Sequence, residues 1–231
     1  RDVITRGIHL LLEKPMTLSL NEADMLNDLA GKYNVKIALG HIYRFFPIVN
    51  FLSEDISNGV FGRVLLGNVR VFWGHDQKYY DQAAWRGTWR QDGGVLMNQS
   101  VHALDLMLYL MGGNVLSVNS MLGKQLHEMQ AEDIAMGIMK FDNGAFCTIE
   151  GTTNTSPDVP FASFSIQCTN GSILAGIRKG KPFFDIRDEN DKKINGRYIR
   201  KLIKTTRKES GLLSLKKFAN PHSGILKDLA E

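Results

Sequence analysis

The tightest constraint on the fold lies in residues 1–40, where two short apolar runs flank a capped helix. His9-Leu10-Leu11-Leu12 suits a buried parallel strand, and it stops at Glu13-Lys14-Pro15 because Pro15 has no N–H to offer a ladder. Ser19-x-x-Glu22 is a capping box, and Ala23, Leu26, Ala30 and Tyr33 follow at helical spacing, which predicts a helix from about Leu20 to Tyr33. Asn34 is a tolerable helix stop, and Val35 to Leu39 reads as the next strand. Strand, helix, strand in this order implies a right-handed parallel crossover.

After Gly40 the pattern changes. Phe45, Ile48, Val49, Leu52 and Ile56 recur at spacings of three and four, which predicts an amphipathic helix within His41 to Asn58, ending near Gly59. Strands then dominate. Leu65, Val69, Val71 and Trp73 favour one face, with Asn68 and Arg70 on the other. Asp142-Asn143-Gly144 separates Ile134 to Phe141 from Ala145 to Gly151 as a hairpin turn, and Thr169-Asn170-Gly171-Ser172 does the same between Phe164 to Cys168 and Ile173 to Ile177. An antiparallel or mixed sheet of at least five strands is expected. One helix, Gln99 to Met111, interrupts it, with Val101, Leu104, Leu108 and Met111 on one stripe and Gly112-Gly113 as its stop. Ile225, Leu226 and Leu229 suggest a further helix near the end.

Composition narrows the function. With 43% apolar and 23% charged residues the chain belongs with ordinary globular proteins. No run approaches the ~20 apolar residues of a membrane span and the first residues form no signal-peptide pattern, so a soluble, cytoplasmic protein with no membrane partner is expected. Cys147 and Cys168 sit in no metal-ligand spacing and read as reduced strand residues; no metal site is expected. The net charge of +4 is local in origin. Residues 192–217 hold ten Lys/Arg and one Glu, or +9, leaving the rest at −5. That segment, with Arg197, Arg200, Lys201, Lys204, Arg207 and Lys208 around Ile199, Leu202 and Ile203, is either a solvated helical face or a contact for an acidic ligand such as a nucleotide-sugar phosphate. It lacks aromatic interleaving and any nucleic-acid motif, so no nucleic-acid partner is expected.

Two constellations carry chemistry. Glu13-Lys14-Pro15 lies just past the carboxyl end of a parallel strand, where open α/β sheets place ligands. In Gly93 to Asp105, two glycines precede a helix and Asn98, His102 and Asp105 follow at spacings of four and three, so an amide, an imidazole and a carboxylate share one helical face. That face is a candidate acid/base site. Tyr43 with Arg44, Tyr79 with Tyr80, and Trp85 with Arg86 are secondary candidates, as sugar-stacking rings and as an Arg clamp, or else as packing. His9, His75, His127 and His222 have no partners at telling spacings and are assigned no role.

Glu13-Lys14-Pro15, His41-x-x-Arg44-Phe45-x-Pro47, Trp85-Arg86-Gly87-Thr88-Trp89 and the Gly93 to Asp105 segment occur in the order found in Gfo/Idh/MocA oxidoreductases, and the chain resembles that family over nearly its whole length. The resemblance implies an α/β fold in two parts. Residues 1–40 would be the C-terminal remnant of a dinucleotide-binding Rossmann domain, and residues 41–231 a substrate-binding and oligomerisation α+β domain with a large mixed or antiparallel open sheet. It further implies an NAD- or NADP-dependent dehydrogenase acting on a secondary hydroxyl of a sugar, nucleotide sugar or inositol-like polyol, assembled as a homo-oligomer through that sheet. Lys14 matches the catalytic lysine and His102 the general acid/base, while Glu13, Lys14 and Pro15 would face the cofactor. Tyr43, Arg44, Trp85, Arg86, Asn98 and His102 would face the substrate. Asn98 stands where many members have Asp; an amide orients a hydroxyl but cannot accept its proton, which loads the transfer onto His102 and leans the substrate toward nucleotide sugars.

The family's G-x-G-x-x-G turn occurs nowhere in these residues, so N-terminal truncation is expected, and a C-terminal cut near Glu231 as well. The chain alone should then hold a dinucleotide poorly. A non-catalytic binding or oligomerisation module derived from the same family is the alternative.

Overall fold

The computed structural model describes residues 1–210 and 221–230. The first unit is the crossover that the capping box predicts. β1 (Leu10–Leu12) and β2 (Ile37–Leu39) pair in parallel, Leu10 opposite Ile37, and α1 (Leu20–Tyr33) connects them. Ser19 Oγ accepts the Glu22 N–H at the helix start, and Asn34 closes the helix in the left-handed conformation that Asn tolerates.

The amphipathic run after Gly40 is not one helix. A 3-10 turn, Ile42–Phe45, precedes α2 (Pro47–Ser57), and Phe46 between them is extended. The reason is local: Pro47 has no N–H to bond backward and pushes the preceding residue out of the helical region, yet suits the first position of a new helix.

A seven-stranded mixed sheet carries the rest. Its strands are β3 (Val64–Phe72), β4 (Val115–Gly123), β5 (Ile134–Phe141), β6 (Phe146–Thr152), β7 (Phe161–Cys168), β8 (Gly171–Arg178) and β9 (Lys181–Asp188), in the order β4-β5-β6-β3-β7-β8-β9. Only the β3–β6 pair is parallel; the other pairs are antiparallel. Both turns read from the sequence are hairpins, and β4 and β9 extend the sheet at its two edges. On β3 the register shifts between Val64 and Leu66, which turns Leu65 outward while Val69 and Val71 stay in the core.

α2 and α5 (Val101–Met111) pack on one face of this sheet, with α6 (Asn195–Ser210) against its β9 end. Leu52, Met107, Leu110, Phe141, Ile166 and Tyr198 are fully buried between these layers. The other face carries Leu66, Met121, Met136, Ile138 and Phe146 into solvent, Met121 at 83% exposure. α7 (Pro221–Ala230) packs on both β2 and the Ile42–Phe45 turn, and so joins the small sheet to the large one. No helix among the described residues is long and apolar enough to cross a membrane. Burial pushes the Cys147 thiol up to about 12 and that of Cys168 to about 11, so both are inert reduced residues.

Because Leu52 is wholly buried while Leu20 is 83% exposed, Leu52→Ala should cost about 2–5 kcal/mol and Leu20→Ala less than ~0.5 kcal/mol in urea unfolding. Equal losses would place the core elsewhere.

Candidate active site

Lys14 leaves the end of β1 and reaches across to the large unit, where its Nζ donates to the Asn98 carbonyl oxygen at 2.8 Å. The acceptor ends a short helix, α4 (Val95–Asn98), and α5 starts anew after Gln99 and Ser100. The expected helix from Gln99 to Met111 is α5, but Asn98 ends α4 before it and is not on one continuous face with His102 and Asp105. Tertiary contacts hold the start of α4. The Glu132 carbonyl accepts the Val95 N–H and Glu132 Oε1 the Leu96 N–H, which caps α4, while the Ser100 N–H bonds back to the Val95 carbonyl. Gly94 is needed there, because a Cβ would lie 1.9 Å from Glu132 Oε2.

His102 is the second residue of α5. Burial, the nearby Lys14 ammonium and His41 bring its pKa down to about 4, and a helix N-terminus disfavours a cation further. Its Nδ1 is buried with no hydrogen-bond partner among the described residues. The His41 ring stands edge-on to it at 6.0 Å between centroids and the Tyr43 ring lies at 5.1 Å. Burial lowers the pKa of Lys14 too, and Glu13 and Asp92 oppose that shift. The result is a neutral base beside a cationic donor at the carboxyl ends of two parallel strands. Glu13 and Pro15 flank the lysine, and Gly40, after β2, comes so close that a Cβ there would lie 3.0 Å from Glu13 Oε2.

Arg44 does not stand free as a clamp. Its guanidinium grips Asp105 through two hydrogen bonds, Nε to Oδ2 at 2.7 Å and Nη2 to Oδ1, and it lies over the Tyr109 ring. The bond to Asp105 raises its pKa further. Asp105 is thereby committed to fixing Arg44 and, at 3.7 Å, to the side of His41. Burial nonetheless lowers the pKa of His41.

Arg86 is different. It accepts ring faces rather than acceptors: its guanidinium lies 4.0 Å from the Tyr79 ring centre and 5.0 Å from that of Trp85, and its buried Nε has no hydrogen-bond partner among the described residues. Tyr79 also stacks on His75 at 3.7 Å. Tyr80 is buried, with its hydroxyl on Thr153 and its pKa pushed up to about 12 by burial.

His75 and His127, passed over in the sequence, belong to a polar wall behind this stack. His75 Nε2 meets Gln99 Nε2 at 2.9 Å, and His127 spans the His75 carbonyl and Asp133. Burial alone would raise Asp133, but N–H donors from His127, Leu126, Asn154 and Gln125 hold it down at about 2. The three segments involved are far apart in sequence, so no spacing could have flagged them. Asp92 was missed as well; its only visible signal is a carboxylate immediately before Gly93-Gly94. His9 accepts a backbone N–H from Lys36, and the side chain of His222 lies outside the described residues.

The basic segment is not brought to this site. Arg197 and Lys201 on α6 pair with the buried Asp55, which Tyr198 also bonds at 2.7 Å. Lys193, Arg197 and Arg200 line a hollow with Phe61, which leads into β3, whereas His75 follows the end of β3. The nine residues of β3 hold the two regions roughly 30 Å apart. Residues 211–217 of the segment, and the side chains of Arg207 and Lys208, lie outside the described residues.

A family model for the GFO/IDH/MocA C-terminal domain matches residues 50–174, more than half of the chain, and the chain belongs to that family. It is 30% identical, over 63% of its length and 36% of the relative's, to 1-carboxy-3-chloro-3,4-dihydroxycyclohexa-1,5-diene dehydrogenase of Comamonas testosteroni. It is 33% identical to glucose-6-phosphate 3-dehydrogenase of Bacillus subtilis, over 44% of this chain and 29% of that one. Among solved structures, the WlbA dehydrogenase from Bordetella pertussis, in complex with NADH and UDP-GlcNAcA, is similar at a TM-score of 0.72 and 30% identity, covering 76% of this chain and 54% of that one. The chain spans about a third to a half of the length of the curated relatives it matches.

The histidine environment has a consequence for stability. Burial and its neighbours bring the His102 pKa from the ordinary 6.5 down to about 4, and those of His41 and His75 are also lowered. Between those values the unfolded chain binds more protons, so stability is full above about pH 6.5 and declines as pH falls toward about 4. Thermal unfolding midpoints across that window should fall less steeply in His102→Gln than in the wild type. Identical slopes would show that His102 is not held neutral.

Proposed function

We propose that this chain supplies the substrate side and the proton-transfer pair of a nicotinamide-dependent dehydrogenase that oxidises a secondary hydroxyl of a sugar, nucleotide sugar or inositol-like polyol, or runs the reverse. The observation that carries this reading is Lys14, just past the carboxyl end of β1, donating to the Asn98 carbonyl, with the buried Nδ1 of His102 unpartnered among the described residues. The non-catalytic alternative has no use for a lysine whose charge is carried into a half-buried site against its desolvation cost.

The residues present fit the reactive end of a nicotinamide dinucleotide. Among the described residues His102 Nδ1 is buried without a partner, Lys14 spends one N–H on Asn98, and the ligand position expected of parallel strands is theirs. Glu13, Lys14 and Pro15 would hold the nicotinamide end; the glycine-rich pyrophosphate turn is not among the 231 residues. A bound nicotinamide would take or give the hydride. Lys14 donates a charge-assisted hydrogen bond to the substrate oxygen, and His102 accepts the hydroxyl proton. NADH in the Bordetella structure supports NAD(H) as the cofactor.

Two further parts belong to this reading. Residues 1–40 serve as the end of the nucleotide-binding domain and residues 41–231 as the substrate and assembly domain of a cytoplasmic enzyme. The exposed apolar face of the large sheet supports homo-oligomer formation. For the substrate, Arg86 is the cation best suited to a carboxylate or phosphate, since its guanidinium is held flat by two rings and bonds to no acceptor among the described residues. The nucleotide-sugar lean therefore rests on Arg86 and Asn98, without the described part of the basic segment.

In a polypeptide carrying this chain behind a nucleotide-binding segment, Lys14→Ala and His102→Ala should each lower kcat on the order of 10²-fold or more. Unchanged kcat in both would defeat the reading. Arg86→Gln should raise KM for UDP-sugars, and wild-type KM for them should rise with salt, because exposed charge attraction is screened over ~8 Å. Efficient turnover of a neutral sugar with a salt-independent KM, and none of UDP-sugars, would remove the anionic substrate class.

A further inference from the structure

The Asn98 amide sits where a carboxylate relay would need an acid, yet a carboxylate lies directly behind it. Asp92 is buried, at 8% exposure. Its Oδ2 accepts the Gly87 N–H at 2.7 Å and its Oδ1 accepts from Asn98 Nδ2. An ionised carboxylate only accepts, so it dictates which end of the amide faces it. The amide must present Nδ2 to Asp92, which leaves Oδ1 as the atom available to anything else. That Oδ1 accepts no hydrogen bond among the described residues and is not among the buried unpartnered atoms. The same residue's backbone carbonyl receives Lys14. Asp92 thus joins the Trp85–Trp89 loop, through Gly87, to the C-terminal end of α4 and from there to the lysine.

We infer that Asp92 is a positioning residue of this site: its carboxylate locks the Asn98 amide with Oδ1 as a pure acceptor for a substrate hydroxyl, and steadies the carbonyl that holds Lys14. The inference rests on the reading of Lys14 and His102 given above. Its chemistry follows from donor and acceptor counting. A hydroxyl that meets Asn98 Oδ1 must donate its own proton to it, so it is not the hydroxyl whose proton goes to His102. The locked amide therefore reads a second hydroxyl of the substrate, which matches a polyol or sugar ring and rejects a simple secondary alcohol. The position calls for a glycine after Asp92: Gly93 has φ +73°, and a Cβ there would lie 2.6 Å from Met97 Cβ.

A structural role alone would hold the loop without touching the lysine, and titration separates the two. The groups facing Lys14 are Glu13, Asp92, His41 and His102, and of these Glu13 and Asp92 raise its pKa. In this chain as it stands, heteronuclear NMR of Lys14 Nζ should show its pKa move down in Asp92→Asn, with no change in Asp76→Asn, which removes a charge but keeps an Oδ1 to cap the helix at Gln77–Asp81. An unmoved Lys14 pKa in folded Asp92→Asn would overturn the inference. Should that variant fail to fold, the wild type suffices: the Asn98 side-chain N–H protons should exchange slowly with solvent, and exchange at the rate of a free amide would overturn it equally. In the nucleotide-competent polypeptide, Asp92→Asn should lower kcat on the order of tenfold with a smaller change in KM, and shift the alkaline limb of the pH profile downward. An alkaline limb left in place would contradict it. Absence of any nicotinamide-dependent activity with the NMR signatures intact would instead sink the dehydrogenase reading alone.

Discussion

The bond from Lys14 Nζ to the Asn98 carbonyl is the contact on which the rest of the site depends. It is the point where a lysine from a small parallel sheet reaches a residue of the large unit. A two-stranded sheet is marginal alone, and this one is steadied by α7, which packs on β2 and also on the Ile42–Phe45 turn. The lysine can therefore be held to a fixed position even though it leaves a strand of only three residues.

The electrostatic character of the pocket follows from that arrival. A cation brought into a half-buried space disfavours a second one, so His102 is kept neutral by burial and by Lys14 together. The nearby carboxylates are divided between tasks. Asp105 holds Arg44, Asp133 is saturated by backbone N–H groups, and Asp92 is turned toward Asn98. None of the three hydrogen-bonds His102, whose Nδ1 stays unpartnered among the described residues. The core beneath the seven-stranded sheet includes Tyr198 and Cys147, and burial pushes both toward their neutral forms.

What could be read from the sequence was the chemistry that is local. The Ser19 cap, the Asn143-Gly144 and Asn170-Gly171 turns and the Lys14 and His102 motifs each depend on a few neighbouring residues. Edge strands escaped notice because their pattern is weak: β4 is exposed along most of its length, with Ser117, Asn119 and Ser120 among its apolar residues. The division of the Val95 to Met111 segment was invisible because Gln99 and Ser100 carry no breaking signal, and the start of α4 is held by Glu132, distant in sequence. Arg44 illustrates the converse. An arginine beside a tyrosine read as a ligand clamp, and only the fold shows its charge already spent on Asp105. The basic run was legible as charge but not as location, since Asp55 draws Arg197 and Lys201 to the far end of the sheet.

Lys14 and His102 share one electrostatic environment. The direct measurement is the His102 imidazole pKa, followed by NMR in the wild type and in Lys14→Met. Removal of the ammonium should raise that pKa from about 4 toward 6.5, with the remainder of the depression left to burial and His41. A His102 pKa that is the same with and without the Lys14 charge would mean that the two groups do not form one site.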